Sequence, residues 1–407
     1  MKRKIIVIGG GAAGFFGAIS AKIHFPESEV IILEKNRTVL NKVRVSGGGR
    51  CNLTQDDTKS FSELVSGYPR GQKFLRKVFE QWNHKQTADW FRGQGVALKT
   101  EPDSRMFPAS DSSETIIDCL YAAITKHRIQ IHTSCGVSSI EKTENGYKVL
   151  LQNKEEMLAD RILITTGGNP QALGYQWISQ LGHQISPPVP SLFTFNIPDS
   201  PFKELMGVSV SNALVKIAGT KLSQEGGLLI THWGLSGPAV LKLSAWGARV
   251  FAEHQYQFKA LINWNADLKS ITLQEELIAN RKLMALKLVE ANPLHGLPNR
   301  LWRTLTSLAS IPPTMRWADI PTKNLNRLVE KLTNFEVEIS GKTTFKEEFV
   351  TCGGVVLNEV NPNTLESLKC TGIYFAGEVL DIDGITGGYN FQSAWSTAWV
   401  AGKNIGN

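Results

Sequence analysis

Apolar residues run without interruption through positions 4–8 (KIIVI) and again through 29–33 (EVIIL). Unbroken runs of five, rather than strict alternation, predict strands buried on both faces of a parallel sheet. Residues 12–25, rich in Ala and Phe, read as the helix between them, completing a βαβ unit of about 30 residues. A long loop is expected through 45–54, then helical patterns near 72–93 and 112–127. Alternating stretches at 137–143 and 146–152, joined by Glu144-Asn145-Gly146, predict a hairpin. Residues 160–165 (DRILIT) read as a further buried strand, closed by Thr166-Gly167-Gly168.

The pattern changes at Ser186-Pro187-Pro188-Val189-Pro190. Three prolines in four positions suit neither a helix nor a central strand, so a domain boundary is expected there. Short β-like runs dominate 190–264, and 272–334 is helical, interrupted by Pro293, Pro298, Pro312, Pro313 and Pro321. Strand character returns over 343–350. The chain then closes with a strand at 372–376 (GIYFA), a glycine-rich loop and a last helix.

Composition narrows the class. The 407 residues are 42% apolar and 20% charged, which excludes disorder as the general state. No apolar run reaches the roughly 20 residues of a membrane-spanning helix. Met1-Lys2-Arg3-Lys4 ahead of an apolar stretch imitates a secretory signal, but the same residues lead into a strand and a glycine turn, so a cytoplasmic chain is expected. Five scattered cysteines with no C-x-x-C spacing suit a reducing compartment. The net charge of +7 favours acidic partners such as nucleotides or RNA. Nothing points to DNA, and the eight histidines show no metal-binding spacing, so no metal is expected.

Gly9-Gly10-Gly11-Ala12-Ala13-Gly14 fits G-x-G-x-x-G between a buried strand and a helix. The first glycine permits the turn, the second admits a pyrophosphate to the backbone, and the third lets helix pack on strand. Phosphates then meet the free N–H groups of a helix N-terminus. Glu34, with Lys35 beside it, lies twenty residues beyond Gly14, where an acid accepts hydrogen bonds from an adenosine ribose. No second G-x-G-x-x-G follows, which argues against a separate nicotinamide domain. Gly377-Glu378 and Gly387-Gly388-Tyr389-Asn390 instead look like the second half of an FAD site, with the last helix starting at the flavin. FAD is therefore the expected cofactor.

Ser46-Gly47-Gly48-Gly49-Arg50-Cys51-Asn52 frees the backbone for close approach to that cofactor, with Arg50 as a candidate partner for a pyrophosphate oxygen. Cys51 is a candidate for redox chemistry, although no neighbouring cysteine could pair with it. In Thr231-His232-Trp233-Gly234-Leu235-Ser236-Gly237-Pro238, His232 is a candidate proton donor and Trp233 a candidate stacking surface ahead of a helix. That segment is not G-x-S-x-G, so a hydrolase is not indicated. Basic residues gather in two places: Arg70, Lys73, Arg76 and Lys77, and a long stretch from Arg281 to Lys331 that includes Trp302 and Trp317. Cations interleaved with aromatics are a pattern of RNA-binding surfaces and also of ordinary solvated helices.

VSGGGRCNLT (45–54), THWGLSGPAVLKLS (231–244), VTCGGV (350–355) and GEVLDIDGITGGYNFQSAW (377–395), in this order, resemble the HI0933-like (YhiN/BaiN) family of bacterial flavoproteins over nearly the whole chain. Two departures stand out: Asn41-Lys42-Val43-Arg44 replaces a common Gly-Arg-Lys, and the loop after Gly167-Gly168 is short. The resemblance implies a Rossmann-like α/β FAD domain, discontinuous over 1–188 and 346–407. Inserted in it would be a β-barrel-like domain (189–271 and 335–345) and a helical domain (272–334). It implies an FAD-dependent oxidoreductase that reduces an activated C=C bond by hydride transfer from the flavin, with NADH or NADPH as external donor. Uridine in ribosomal RNA is the favoured substrate, and an amine or enone small molecule is the alternative. A flavin-containing RNA-binding protein without turnover is the reading from a different class.

Overall fold

The computed structural model describes residues 3–198, 200–343 and 350–407. The chain divides into two compact units, Met1–Ser191 with Lys346–Asn407, and Leu192–Phe345.

In the first unit, β1 (Lys4–Ile8), α1 (Ala12–His24) and β2 (Glu29–Leu33) form the expected βαβ start. α2 (Asn41–Gly49) follows, then β3 (Gln130–His132), β4 (Arg161–Ile164), β5 (Ile373–Phe375) and the closing helix α3 (Tyr389–Asn404). The sheet is wholly parallel, in the order β5-β4-β1-β2-β3. Ile5, Ile6 and Val7 are fully buried, each contributing about 1.5–3 kcal/mol by leaving water. The late return of β5 beside β4 makes this unit discontinuous in sequence. Phe16, Trp82, Trp90, Phe91, Trp395 and Trp399 pack together on one side of α1, with Trp82 stacked on Trp399 at 3.8 Å between ring centres.

Several local expectations change. The loop expected at 45–54 is helical from Asn41, and its helix is interrupted at Ser46-Gly47-Gly48. The helical pattern of 72–93 is two helices, Gln72–Gln81 and His84–Gly93, because Asn83 caps the second one with its side chain. The hairpin appears as Val137–Thr143 and Gly146–Leu151. The proline run lies within a strand, Ile185–Ser191, paired antiparallel with Val350–Val355. A register shift between Ser186 and Val189 spans Pro187 and Pro188, where no ladder N–H is required. Of the strand-like stretch expected at 343–350, residues 344–349 lie outside the described residues.

The second unit holds a seven-stranded antiparallel sheet. In spatial order its strands are Phe335–Ser340, Gln257–Asn263, Ser209–Ile217, Ser223–Ile230, Gly234–Ser236, Thr194–Asn196 and Lys342–Thr343. Its two edge strands are consecutive in the chain. Gly341 between them donates to the Tyr256 carbonyl at 2.9 Å and accepts from the Asn196 N–H at 3.1 Å, so the sheet curls toward closure as a barrel. Helices Ser270–Leu283, Asn299–Leu308 and Thr322–Thr333 share one apolar core with it. Trp302 and Trp317 are fully buried in that core. They are packing residues, which removes the aromatic half of the basic–aromatic pattern.

Candidate functional site

The turn after β1 distinguishes the three glycines of the G-x-G-x-x-G pattern. A Cβ on Gly9 would lie 2.4 Å from the Thr165 carbonyl oxygen, and one on Gly14 would lie 1.8 Å from the Gly9 carbonyl oxygen. Those two positions are bare because the protein's own backbone occupies the space. At Gly11 nothing lies within 4 Å of the Cβ position, so the protein itself does not require glycine there. A group approaching from outside would. Thr165 Oγ1 donates to the carbonyls of Ile8 and Gly9, both at 3.0 Å, tying the end of β4 to the turn.

α1 begins here at Ala12, and among the described residues its first turn has neither a capping side chain nor an acid. Its leading N–H groups, from Ala12, Ala13 and Gly14, are therefore available to an anion. Glu34, at the end of β2, is buried. Its Oε2 accepts the Gly10 N–H at 2.8 Å, and its Oε1 accepts from the Asn36 backbone and side chain at 2.8 and 2.7 Å. A carboxylate offers about four acceptor positions, so room remains for a ribose hydroxyl. Lys35 beside it is exposed.

Two further segments come to the same turn. Gly377 packs against α1 so closely that a Cβ on it would lie 2.8 Å from the Ala13 Cβ. Glu378 accepts the Thr351 N–H at 2.8 Å through Oε1 and pairs with Lys42 at 2.8 Å through Oε2. Gly48, Gly49 and Gly167 adopt left-handed backbone with open space at each Cβ position, and Thr166 before Gly167 is exposed.

α3 begins at the third segment, behind Gly388 in left-handed conformation (φ 92°), again without a capping side chain or an acid in its first turn among the described residues. A Cβ on Gly388 would press on the Thr54 carbonyl and on Asn52 Oδ1, which brings the SGGGRCN and GGYN segments together. Asn390 braces the loop, accepting from the Gly384 N–H at 2.8 Å and donating to the Gly384 carbonyl at 3.1 Å. The backbone oxygen of Tyr389 accepts from Tyr68 at 2.7 Å. Its own phenol accepts from Lys59 at 3.3 Å, and burial pushes that phenol up to about 12.

Other expected residues have different surroundings. Arg50, read as a phosphate partner, donates to Glu101 at 2.6 Å and lies over the Phe107 ring at 4.2 Å. Cys51 is fully buried in left-handed backbone (φ 58°), its N–H bonded to the Ser46 carbonyl at 3.0 Å. Burial pushes its thiol up to about 12, which disfavours the thiolate that redox chemistry needs. Arg70 does not join an open basic patch: it forms a bidentate pair with the fully buried Asp383, which also accepts from Ser191 at 2.7 Å. Burial raises the Asp383 carboxyl while Arg70 and Ser191 pull it back. Lys42, Thr165 and Asp383 were not singled out by motif, because each partner lies far away in sequence.

His232 belongs to the second unit. It is exposed, with its ring edge-on to Trp233 at 4.2 Å, and the short strand Gly234–Ser236 comes between it and the helix Pro238–Trp246. The same unit has a cavity of about 450 Å³ between the bulged Ser209–Asn212 segment, Pro238, Trp264 and His295.

The first unit fits FAD on observations of its own. It offers two uncapped helix N-termini, an acid fixed beside the glycine turn and open Cβ positions at Gly11, Gly48, Gly49 and Gly167, the features that a dinucleotide cofactor requires. Among the described residues Asn52 Oδ1 and Thr351 Oγ1 are also buried without a hydrogen-bond partner there. No helix among the described residues is long and apolar enough to cross a membrane.

The HI0933-like protein Rossmann domain family matches residues 3–404. A ribosomal RNA dihydrouridine synthase of Escherichia coli K12 is 32% identical, covering 98% of this chain and 97% of its own length. A 3-dehydro-bile acid delta(4,6)-reductase of Clostridium scindens is 26% identical, with 98% of each chain covered. Among solved structures, a 3-ketosteroid-delta4-(5alpha)-dehydrogenase of Rhodococcus jostii RHA1 has a TM-score of 0.52 at 12% identity, over 100% of this chain and 97% of that one. A flavocytochrome c3 fumarate reductase gives 0.51 at 16%, over 99% and 78%. Both structures share the fold of the present chain. With the glycine turn, the acid at the end of β2 and the returning strand all in place, the chain belongs to the HI0933-like family and is an FAD-dependent oxidoreductase on a Rossmann-type fold.

Proposed function

We propose that this chain reduces the C5–C6 double bond of uridine in ribosomal RNA to give dihydrouridine. The observation that carries this reading is the end-to-end match to the E. coli ribosomal RNA dihydrouridine synthase, which includes the second unit as well as the cofactor unit. A ribosomal RNA dihydrouridine synthase of Haemophilus influenzae is 27% identical over 98% of both chains. A cytoplasmic setting and NADH or NADPH as electron donor belong to the same reading. The bile acid reductase relative supports the alternative, an enone small molecule, and both substrates present a C=C bond conjugated to a carbonyl.

When bound and reduced, FAD supplies a hydride at its N5. The N–H groups at the start of α1 would hold its pyrophosphate against the open position at Gly11, with Gly9 and Gly14 shaping the turn, and Glu34 would orient the adenosine ribose. The N–H groups behind Gly388 would stabilise negative charge on the flavin ring. Ser46 to Asn52, Thr166-Gly167 and Gly377-Glu378 form the remaining walls of the cradle. Hydride addition at C6 of uridine, the carbon β to the C4 carbonyl, leaves an enolate that takes a proton at C5. His232 is the proposed donor of that proton.

The test is anaerobic. Holoprotein is mixed with NADH or NADPH until the yellow flavin absorbance bleaches, then with unmodified ribosomal RNA or with a conjugated keto-steroid, and products are read by mass spectrometry. Dihydrouridine in the RNA supports the reading. Reduction of the steroid with unchanged RNA replaces it by the alternative, and bleaching by an amine followed by reoxidation in oxygen replaces it by an oxidase.

A further inference from the structure

Residues 281–327 contain eight cationic side chains and two acidic ones, Glu290 and Asp319, a local net charge of +6 against +7 for the whole chain. Six of the cations lie on one corner of the second unit: Arg281, Lys282, Lys287, Arg316, Lys323 and Arg327. The backbone brings them together. Residues 285–288 run alongside 316–318, with an antiparallel bridge at Leu288–Arg316 and the Trp317 N–H bonded to the Lys287 carbonyl at 3.0 Å. Arg281, at the end of the helix Ser270–Leu283, donates to the Ile320 carbonyl at 2.7 Å and to Thr322 at 3.0 Å, at the start of the helix carrying Lys323 and Arg327.

Several cations of the first unit are neutralised locally. There Arg44, Arg92, Lys99 and Arg105 are each paired with a carboxylate. Among the described residues none of the six is ion-paired, and all but Arg281 are exposed. Cations that neutralise no carboxylate repel one another, and an anionic polymer relieves that repulsion while releasing its counterions.

We infer that this corner is the docking surface for the phosphate backbone of the RNA, an inference that rests on the RNA reading above. The buried Trp302 and Trp317 leave it no tryptophan from this segment on which a base could stack. The contact is therefore with phosphates, which fix the position of the RNA without reading its sequence. Selection of the target uridine belongs to other parts of the chain.

The experiment measures binding of holoprotein to a ribosomal RNA fragment across a salt series. The variant Lys282→Gln/Lys287→Gln/Arg316→Gln/Lys323→Gln is compared with wild type, and retained FAD and NAD(P)H-driven bleaching serve as controls for folding. Each phosphate contact contributes about 0.7 to the slope of log affinity against log salt on single-stranded nucleic acid. The variant is expected to lose about 3 from that slope and at least tenfold in affinity at low salt. A slope and affinity equal to wild type overturn the inference, while dihydrouridine formation by wild type in the same samples keeps the substrate reading separate. A second variant, Leu283→Ser/Leu286→Ser, alters two leucines exposed by 78% and 80% beside the patch. Loss of RNA binding in that variant alone would show that the contact is made by apolar groups and not by the cations, and would overturn the inference equally. Wild type that binds no RNA would overturn it together with the reading on which it rests.

Discussion

Glu34 fastens the nucleotide turn: its Oε2 accepts the N–H of Gly10 at 2.8 Å, across 24 residues of sequence. The same carboxylate holds Asn36 through its other oxygen, so one buried acid fixes both the glycine turn and the start of the next loop. Glu34→Ala strands these donors, each costing about 1–3 kcal/mol when left unsatisfied. A lower melting temperature and weaker FAD binding are expected together. Glu34→Gln keeps an acceptor and most of the stability but loses at least tenfold in FAD affinity, about 1.4 kcal/mol, through its weaker ribose contact. Calorimetric titration of apoprotein with FAD checks this, and wild-type affinity in the Gln variant would remove Glu34 from the ribose site.

Gly11 and Gly14 separate ligand from fold. Alanine at 14 would place a Cβ 1.8 Å from a backbone oxygen, whereas alanine at 11 meets open space. Gly14→Ala is expected to yield little folded protein. Gly11→Ala should fold with unchanged circular dichroism and purify with little or no flavin. A yellow Gly11→Ala protein with full FAD content would displace the pyrophosphate from that turn.

Asp383 and Arg70 form a pair buried on both sides, with side-chain exposures of 0% and 13%. Removing one member leaves the other charged without compensation, at about 3–5 kcal/mol. Arg70→Ala and Asp383→Ala should each destabilise strongly in urea titrations. The double variant should be less destabilised than the two single effects added. Additive effects would show that the pair is not coupled.

His183 is buried between Glu359, at 3.1 Å from Nδ1, and Ser367, at 2.9 Å from Nε2. Burial is the largest influence on its ring and lowers it below the usual 6.5, against the opposing pull of Glu359. The unfolded chain therefore takes up the proton first on acidification. The stability His183 contributes is fully present above about pH 6.5 and is lost as pH falls through its lowered folded value. Melting temperature should decline below about pH 6.5, and His183→Gln should flatten that decline while lowering stability at neutral pH. An identical slope in the variant would assign the decline to other groups, such as the similarly lowered His84.

Elements whose cause is local were legible in the chain. β1, the glycine turn and α1 follow from adjacent residues, as do the 137–151 hairpin and the strand, loop and helix that close the chain. Long-range choices were not. Arg50 and Arg70 look like available cations, yet their carboxylates come from 51 and 313 residues away. Trp302 and Trp317 look like a stacking surface beside arginines, but they fill the core shared by the helices and the curled sheet. The prolines at 187 and 188 lie just ahead of the division of the chain after Ser191, but the strand that contains them was not legible, because the register shift that accommodates them depends on a partner strand, Val350–Val355. The short helical stretch before Ser46 was hidden by the glycines that interrupt it.

Ribosomal RNA from cells lacking this gene, digested to nucleosides and mapped by mass spectrometry beside RNA from the parent strain, tests the substrate assignment most directly. The expected result is loss of dihydrouridine at a defined position, restored by the wild-type gene and not by the Gly11→Ala form. An unchanged dihydrouridine map would contradict the assignment.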